Sequence, residues 1–198
     1  MSRGGTVHYP LYMLTYTAVP GVHGSVGIVA SEQGLCRVVL TRRNVEETRR
    51  WLGRQYPEAR RKDDVLASFQ RQLRDYFAGR HVQFDVPVDL SGLTAFQRRV
   101  LAACAAVDYG QTVTYGQLAR RIGNPRATRA VGAALGRNPV PLVIPCHRVV
   151  GCNGGLGGFS AEQGIGMKRR LLELEASGGK PDAGSRRRGD AANEVAFV

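Results

Sequence analysis

Two Thr-x-x-Gln tetrads, Thr94–Gln97 and Thr114–Gln117, constrain the fold of this sequence more than any other feature. In such a tetrad the threonine hydroxyl accepts a backbone N–H of the first helical turn, and the glutamine amide returns to the threonine backbone. The tetrads therefore predict helices that begin at about residues 95 and 115. The first helix presents one apolar stripe to the interior, made up of Phe96, Val100, Ala103, Cys104 and Val107.

A third helix is predicted just downstream, with Asn124 as its N-cap and Pro125 at its first helical position. Two short helices joined by a Gly-Asn-Pro turn are typical of a helix-turn-helix. The third helix combines small residues with Arg126, Arg129 and Arg137, a composition suited to contacts with nucleic acid. Short basic helical hairpins are also common in proteins that bind no nucleic acid, so this pattern alone leaves both interpretations open.

The first half of the chain predicts a different architecture. Three short apolar-alternating runs between residues 12 and 41 are separated by Gly, Pro and Ser, and they indicate an antiparallel meander. Two amphipathic helices follow, then an extended segment in which Pro87 favours a sheet edge or a linker. We therefore expect an α/β (α+β) fold. A small N-terminal antiparallel sheet with helices (1–92) would precede a mainly helical domain with the helix-turn-helix (93–178) and a disordered tail (179–198).

Charge is concentrated in the second of these units. Residues 93–178 carry 11 basic and 4 acidic side chains, against 13 and 9 in residues 1–92, and the whole chain has a formal charge of +12. A basic surface attracts polyanions, nucleic acid first, although a charge that only promotes solubility is the alternative.

Cysteine usage and hydropathy predict the compartment. The four cysteines are too few and too irregularly spaced for a secreted disulfide framework, and Cys36 and Cys104 lie in apolar runs typical of core residues. No run approaches ~20 apolar residues, and the N-terminus has no apolar signal region. We expect a soluble cytoplasmic protein with no membrane partner. A nucleic-acid partner, the first that the basic charge suggests, would place it at the nucleoid of a bacterium or in the nucleus of a eukaryote.

The adjacent pair Cys146 and His147 is the strongest chemical signal. On a strand the two side chains would leave opposite faces, unless Pro145 breaks the strand so that both line one cavity. A neutral imidazole held by a buried carboxylate could then withdraw the thiol proton through a water molecule. Composition alone allows equally well a structural cysteine beside a surface histidine.

The last predicted helix supplies a candidate carboxylate. Its apolar side is defined by Met167, Leu171, Leu172 and Leu174. At about 100° per residue, Glu173 points to solvent, whereas Glu175 turns toward the interior and needs a partner there. An arginine or a histidine would satisfy it. Before this helix, seven glycines in residues 151–166 match neither a dinucleotide fingerprint nor a P-loop. They predict either a loop whose backbone lies close to a bound group or a plain flexible surface loop.

The motif order from Thr94 to Glu175 resembles that of the O6-alkylguanine-DNA alkyltransferases. The resemblance rests on PCHRV with the preceding NPVPLVI, on TYGQLA, on RAVG and on KRRLLELE. It implies single-turnover transfer of an alkyl group from O6-alkylguanine, and from O4-alkylthymine, in double-stranded DNA. The protein would act as a monomer, after minor-groove binding and base flipping. No metal or organic cofactor is expected, because the cysteine itself is the final acceptor.

The resemblance also implies residue roles. Cys146 would accept the alkyl group, His147 would take its proton through water, and Glu175 would orient the imidazole. Asn138 would brace the preceding turn, and Tyr115 would hydrogen-bond the flipped base. Arg129 would fill the gap in the base stack. Further DNA contacts are expected from Arg126, Ala127, Thr128 and Arg137. The pocket for the base would be lined by Tyr115, Leu135, Val149, Leu156 and Ser160.

Two departures from the family pattern concern the pocket wall. Phe159 stands where the family commonly has tyrosine, and the loop before the last helix is about two residues longer. Some relatives carry zinc in the N-terminal domain, but His8, His23, Cys36 and His81 lack a metal-site spacing. The rival functions are a non-catalytic lesion binder, a helix-turn-helix regulator with a redox-sensing Cys146, and a Cys–His hydrolase.

Overall fold

A four-stranded sheet forms the N-terminal half. The computed structural model describes residues 13–159, 161–162 and 164–178. Strands β1 (Thr15–Gly21), β2 (Gly24–Ser31) and β3 (Gly34–Thr41) pair antiparallel, and the two-residue β4 (Arg60–Arg61) runs parallel to β1. The sheet order is β3-β2-β1-β4. The predicted antiparallel meander is confirmed.

Two helices cover this sheet. Helix α1 (Val45–Gln55) begins at a capping box in which the Asn44 side chain accepts the Glu47 N–H, and it packs against β1 and β2. Helix α2 (Ala67–Phe77) buries Phe69, Leu73 and Tyr76. The extended segment that follows runs along the edge strand β3, since the Leu35 N–H donates to the Pro87 carbonyl (2.8 Å). Proline has no N–H to donate, but Pro87 bonds to β3 through its carbonyl, so the pairing loses no hydrogen bond at this position.

Helices dominate the C-terminal half. They are α3 (Ala95–Ala105), α4 (Tyr115–Arg121), α5 (Thr128–Leu135) and α6 (Gly164–Ser177), with a 3-10 turn at Cys146–Arg148. Strands β5 (Val113–Thr114) and β6 (Val149–Val150) form a short parallel pair. This mixture of a small sheet and helices confirms the predicted fold class. The domain boundaries at 92 and 178 and the helix-turn-helix remain predictions, and the tail 179–198 lies outside the described residues.

Both threonine caps form as predicted. The Gln97 N–H donates to the Thr94 hydroxyl (3.3 Å) and the Thr94 N–H to the Gln97 side-chain oxygen (2.9 Å). The same pair of bonds links Thr114 and Gln117, at 3.1 and 2.7 Å. Helices α3 and α4 accordingly begin at residues 95 and 115.

The predicted start of the third helix was wrong by about three residues. Helix α5 begins at Thr128, because Asn124 and Pro125 belong to a turn closed by the Ala127 N–H and the Asn124 carbonyl (3.0 Å). Asn and Pro favour the first two positions of such a turn as strongly as they favour a helix start. The sequence signals of the two structures are therefore the same.

The buried apolar side chains form one continuous core through both halves of the chain, from Val19 in β1 to Leu171 in α6. Cys36 and Cys104 are both buried, as predicted. Among the described residues, no helix combines the length and the apolar character needed to span a membrane.

The exposed cap at Thr94 allows a test of this local design. We expect Thr94→Ala to lower the free energy of unfolding by about 1 kcal/mol, because the Gln97 N–H loses its acceptor. Urea denaturation followed by far-UV circular dichroism measures the change. Thr94→Ser keeps the hydroxyl and should stay within about 0.5 kcal/mol of the parent protein. Equal losses in both variants would contradict the cap.

Candidate active site

A 3-10 turn, and not a strand, carries the Cys–His pair immediately after Pro145. The Arg148 N–H donates to the Pro145 carbonyl (2.8 Å), and Cys146–Arg148 form a single 3-10 turn. Successive side chains of such a turn diverge by about 120°, not by the 180° of a strand. Cys146 and His147 can therefore serve one site from a shared turn.

Asn138 holds the loop that delivers this turn. Its side-chain N–H donates to the Ile144 carbonyl (2.8 Å), and its side-chain oxygen accepts the Val140 N–H (3.0 Å). One buried amide thus closes the loop from residue 138 to residue 144. Sequence analysis predicted Asn138 as a brace, and the structure gives it the contacts that such a brace requires.

A single buried carboxylate, that of Glu175, organises the site. It is 3% exposed and makes five hydrogen bonds. Oε1 is bonded to the Tyr76 hydroxyl (2.8 Å), His147 Nε2 (2.8 Å) and an Arg148 terminal N–H (3.0 Å), and Oε2 to Arg148 Nε (2.9 Å) and the Gly110 N–H (3.0 Å). Burial alone raises the pKa of Glu175, but the hydrogen bonds from His147 and Arg148 outweigh it and lower the pKa well below its ordinary value.

Both an arginine and a histidine bond the Glu175 carboxylate. The sequence left these two partners as alternatives, and Arg148, Tyr76 and Gly110 were not predicted as its partners. Arg148 also donates to the Val107 carbonyl (2.5 Å) and lies over the ring of Tyr109 (5.6 Å). Arg148 directly follows His147, and that adjacency was an available signal. Nothing local in the sequence links Tyr76 to a carboxylate 99 residues away.

His147 has one bonded and one unbonded ring nitrogen. Its Nε2 is bound to Glu175, whereas its Nδ1 is buried with no hydrogen-bond partner among the described residues. Burial lowers the pKa of the imidazole, and the Glu175 carboxylate opposes this only in part. The imidazole is therefore neutral at pH 7. With the Nε2 proton donated to Glu175, Nδ1 carries the lone pair that can accept a proton.

Cys146 is a protonated thiol with a cationic neighbour. Burial raises its pKa, and a hydrogen bond from Asn138 and the charge of Lys168 act in the opposite direction. Lys168 is fully buried, donates to the Val149 carbonyl (2.6 Å) and lies 5.7 Å from the ring centre of Tyr115. No carboxylate in the described part of the chain pairs with it. Sequence analysis missed Lys168, although residue 168 shares a helix face with Leu171 and Glu175.

Cys146, 7% exposed, opens into a cavity of about 550 Å³. One side of the cavity is formed by α4 and α5, with Tyr115, Thr128, Arg129, Gly132, Leu135 and Gly136. The other side is formed by Gly157, Gly158 and Phe159 of the glycine-rich loop. A Cβ atom on Gly157 would lie 2.9 Å from the Tyr115 hydroxyl oxygen, so this glycine allows the loop to approach the tyrosine. Burial raises the pKa of that hydroxyl, which leaves it a donor.

The predicted pocket residues divide into three groups. Tyr115 and Leu135 line the cavity, whereas Val149 and Leu156 are not among its lining residues, and Ser160 lies outside the described residues. Val149 is fully buried because its strand β6 pairs with β5, inside the core. Its role as a pocket residue, like that of Leu156, stays a prediction.

The predicted DNA-contacting residues lie on α5 or next to its ends. Thr128 and Arg129 line the cavity, and Arg126 and Arg137 are exposed before and after α5, with Ala127 half-buried at its N-cap.

His8 lies outside the described residues, and within the described ranges no group of three His, Cys, Asp or Glu side chains could hold a metal ion.

Two family models match this chain. The model described as 6-O-methylguanine DNA methyltransferase, ribonuclease-like domain, matches residues 14–90. The model described as 6-O-methylguanine DNA methyltransferase, DNA binding domain, matches residues 95–177. Together the two matches cover nearly all of the described residues.

Curated relatives agree with these matches. The chain is 52% identical to the methylated-DNA–protein-cysteine methyltransferase of Mycobacterium tuberculosis (strain ATCC 25618 / H37Rv) over 106 residues, which are 54% of this chain and 62% of that protein. It is 39% identical to the inducible methylated-DNA–protein-cysteine methyltransferase of Bacillus subtilis (strain 168) over 150 residues, 75% of this chain and 82% of that protein.

Solved structures show the same architecture. A crystal structure of the O6-methylguanine methyltransferase of Mycobacterium tuberculosis has a TM-score of 0.73 and 36% identity, over 86% of this chain and 97% of that one. The same bacterium's OGT in complex with DNA has a TM-score of 0.70 and 37% identity, over 85% and 96%.

The Glu175 network predicts a large and pH-dependent effect on stability. We expect Glu175→Gln to lower the free energy of unfolding by about 3 kcal/mol, because it leaves the buried Arg148 without its anion. The folded pKa of Glu175 is lowered, so its contribution is present above the unfolded pKa of ~4.3 and is lost as the pH falls through the folded pKa. Urea titrations at pH 7 and pH 3 measure both effects.

Glu173→Gln is the matched control for this experiment. It removes the same charge from the same helix at an exposed position, and it should change stability by less than about 0.5 kcal/mol. A Glu175→Gln variant as stable as Glu173→Gln would show that the network contributes little.

Proposed function

The chain belongs to the 6-O-methylguanine DNA methyltransferase family, and on that premise we propose that it repairs DNA by transferring the alkyl group of O6-alkylguanine to its own Cys146. The observation that carries the proposal is the position of the Cys146 thiol. It opens into a cavity, and the next residue of the same 3-10 turn is His147, whose buried imidazole is bonded to Glu175.

Transfer requires removal of the thiol proton. The pKa of Cys146 is raised by burial, so the thiol depends on a base, and His147 is neutral with Nδ1 as its available acceptor. We assign the proton path from Cys146 through a water molecule to His147 Nδ1, with Glu175 stabilising the imidazolium that forms. The Lys168 cation stabilises the thiolate, because no carboxylate among the described residues neutralises that cation.

The alkyl step is a displacement at carbon. A bond forms between Cys146 Sγ and the alkyl carbon as the carbon–O6 bond breaks, and the electron pair of the broken bond remains on the guanine. The Tyr115 hydroxyl lines the cavity and is a donor, so it would hydrogen-bond a ring nitrogen of the base and stabilise the departing guanine anion. The same geometry would accept O4-alkylthymine, whose alkylated oxygen also lies beside a ring nitrogen.

The target oxygen becomes accessible only when the nucleotide leaves the base stack, which costs a few kcal/mol. Arg129 lies at the rim of the cavity on α5, where it could occupy the space that the base vacates. The small side chains Ala130, Gly132 and Ala133 let the same helix approach a minor groove closely. We therefore propose minor-groove binding through α5, with Arg126 and Arg137 contacting the backbone.

The reaction would occur once per molecule, because nothing in the site is suited to cleave the resulting thioether. We propose that the protein acts as a monomer. Residues 93–178 would form the catalytic unit, and residues 1–92 would support it through contacts such as Tyr76–Glu175.

Mass spectrometry tests the transfer directly. After incubation with a duplex that contains O6-methylguanine, we expect the tryptic peptide 138–148, which contains Cys146, to gain one methyl group. The physical reason is that the thioether is stable to digestion. Cys146→Ala should abolish the reaction and retain DNA binding. Tight binding of the lesion without any mass change would favour the non-catalytic lesion binder instead.

The stack-filling role of Arg129 predicts substrate-dependent kinetics. We expect Arg129→Ala to slow single-turnover transfer from duplex DNA at least about tenfold, and transfer from the free modified base by less than about twofold, because the free base needs no flipping. Arg54→Ala is the control, since Arg54 is exposed in the last turn of α1 and belongs neither to the cavity nor to the proposed DNA contacts. Equal slowing of Arg129→Ala on both substrates would refute the role.

A further inference from the structure

The second wall of the cavity is a glycine-rich loop, in which Phe159 packs against the core. Its first part is closed on itself, since the Gly151 N–H donates to the Gly155 carbonyl (2.7 Å). The wall proper, Gly157, Gly158 and Phe159, follows this turn. Glycine has more backbone freedom than any other residue, so a wall of this composition needs an anchor outside the loop to hold a defined distance from Cys146.

Glu162, three residues beyond Phe159, supplies such an anchor. Its Oε2 accepts a short hydrogen bond from the Thr41 hydroxyl, the backbone N–H of Arg42 (3.3 Å) and an N–H of the Arg43 guanidinium (3.1 Å). All three donors lie at the end of β3, about 120 residues earlier in the chain. The carboxylate therefore ties the loop to the N-terminal sheet.

An ordinary surface ion pair is the simplest alternative explanation of this contact. The Arg43 and Glu162 side chains are 39% and 42% exposed, and exposed pairs contribute little. The other two donors distinguish this contact, because Thr41 is 2% exposed and the Arg42 N–H belongs to the backbone. A bond to a buried hydroxyl at a strand end fixes position, which a pair of mobile surface side chains does not.

We propose that Glu162 is a positioning residue that holds the glycine-rich wall against the N-terminal sheet and thereby sets which O6-alkyl groups the cavity accepts. This inference rests on the proposed alkyl transfer to Cys146. It assigns the N-terminal half a part in substrate selection, through a contact that spans the two halves of the chain. A wall held close to Cys146 favours a methyl group, and a released wall admits a bulkier one.

The test compares two duplexes of identical sequence, one with O6-methylguanine and one with O6-benzylguanine. Single-turnover rates of transfer to Cys146 are measured for each, and the benzyl-to-methyl ratio is the readout, because DNA binding and base flipping are common to both substrates. We expect Glu162→Ala to raise this ratio roughly threefold or more, since small displacements of a positioning group change rates strongly. Thr41→Val, which removes the buried donor at constant volume, should raise it in the same direction.

Glu173→Ala is the matched control, because it removes an exposed carboxylate from the neighbouring helix and should leave the ratio unchanged. The double variant of Glu162→Ala and Thr41→Val should have the ratio of Glu162→Ala alone, because the Thr41 hydroxyl acts on the loop through its bond to Glu162. An unchanged ratio in both single variants, or fully additive effects in the double variant, would overturn the inference. Absence of methyl transfer by the parent protein would instead overturn the proposed function.

Discussion

The hydrogen bonds to the buried carboxylate of Glu175 join the two halves of the chain and organise the candidate site. An ionised carboxylate without partners is too costly to bury, so its five hydrogen bonds are a condition of the fold. Their donors come from α2, from the loop before β5 and from the 3-10 turn. The same set of bonds therefore joins the two halves of the chain, orients the His147 ring and fixes Arg148 against the core. Removing one partner of such a buried pair typically costs ~3–5 kcal/mol.

Burial and this network together determine the protonation states in the site. Burial keeps the Cys146 thiol protonated and the His147 imidazole neutral, whereas Glu175 stays ionised because its donors outweigh its burial. A neutral base beside a protonated nucleophile is the resting arrangement that proton transfer requires. The buried Lys168 adds a positive charge on the side of the thiolate. The contacts that bury these side chains are thus also the contacts that set their pKa values.

Local sequence signals predicted the helices and strands, and they failed where one signal is typical of two different local structures. The threonine caps at 94 and 114 fixed the starts of α3 and α4, because both halves of a capping box lie within four residues. Asn124 and Pro125 suit a turn and a helix start alike, and there the prediction was wrong. The helical periodicity predicted correctly that Glu175 faces the interior. The periodicity of one helix does not show which distant residues donate hydrogen bonds to that side chain. Tyr76, from another helix, could be found only in the structure.

Local signals were enough to predict the family, the meander and helices, and the residues of the PCHRV turn, because caps, periodicity and adjacent motifs act over a few residues. How those residues become a site depends on the packing of complete elements. That packing placed Tyr76 and Gly110 on Glu175, buried Lys168 near Tyr115, buried Val149 in the pair of β5 and β6, and tied Glu162 to Thr41. The physical reason is that hydrogen bonds and burial between residues up to 121 positions apart depend on how complete elements pack, which no local pattern encodes.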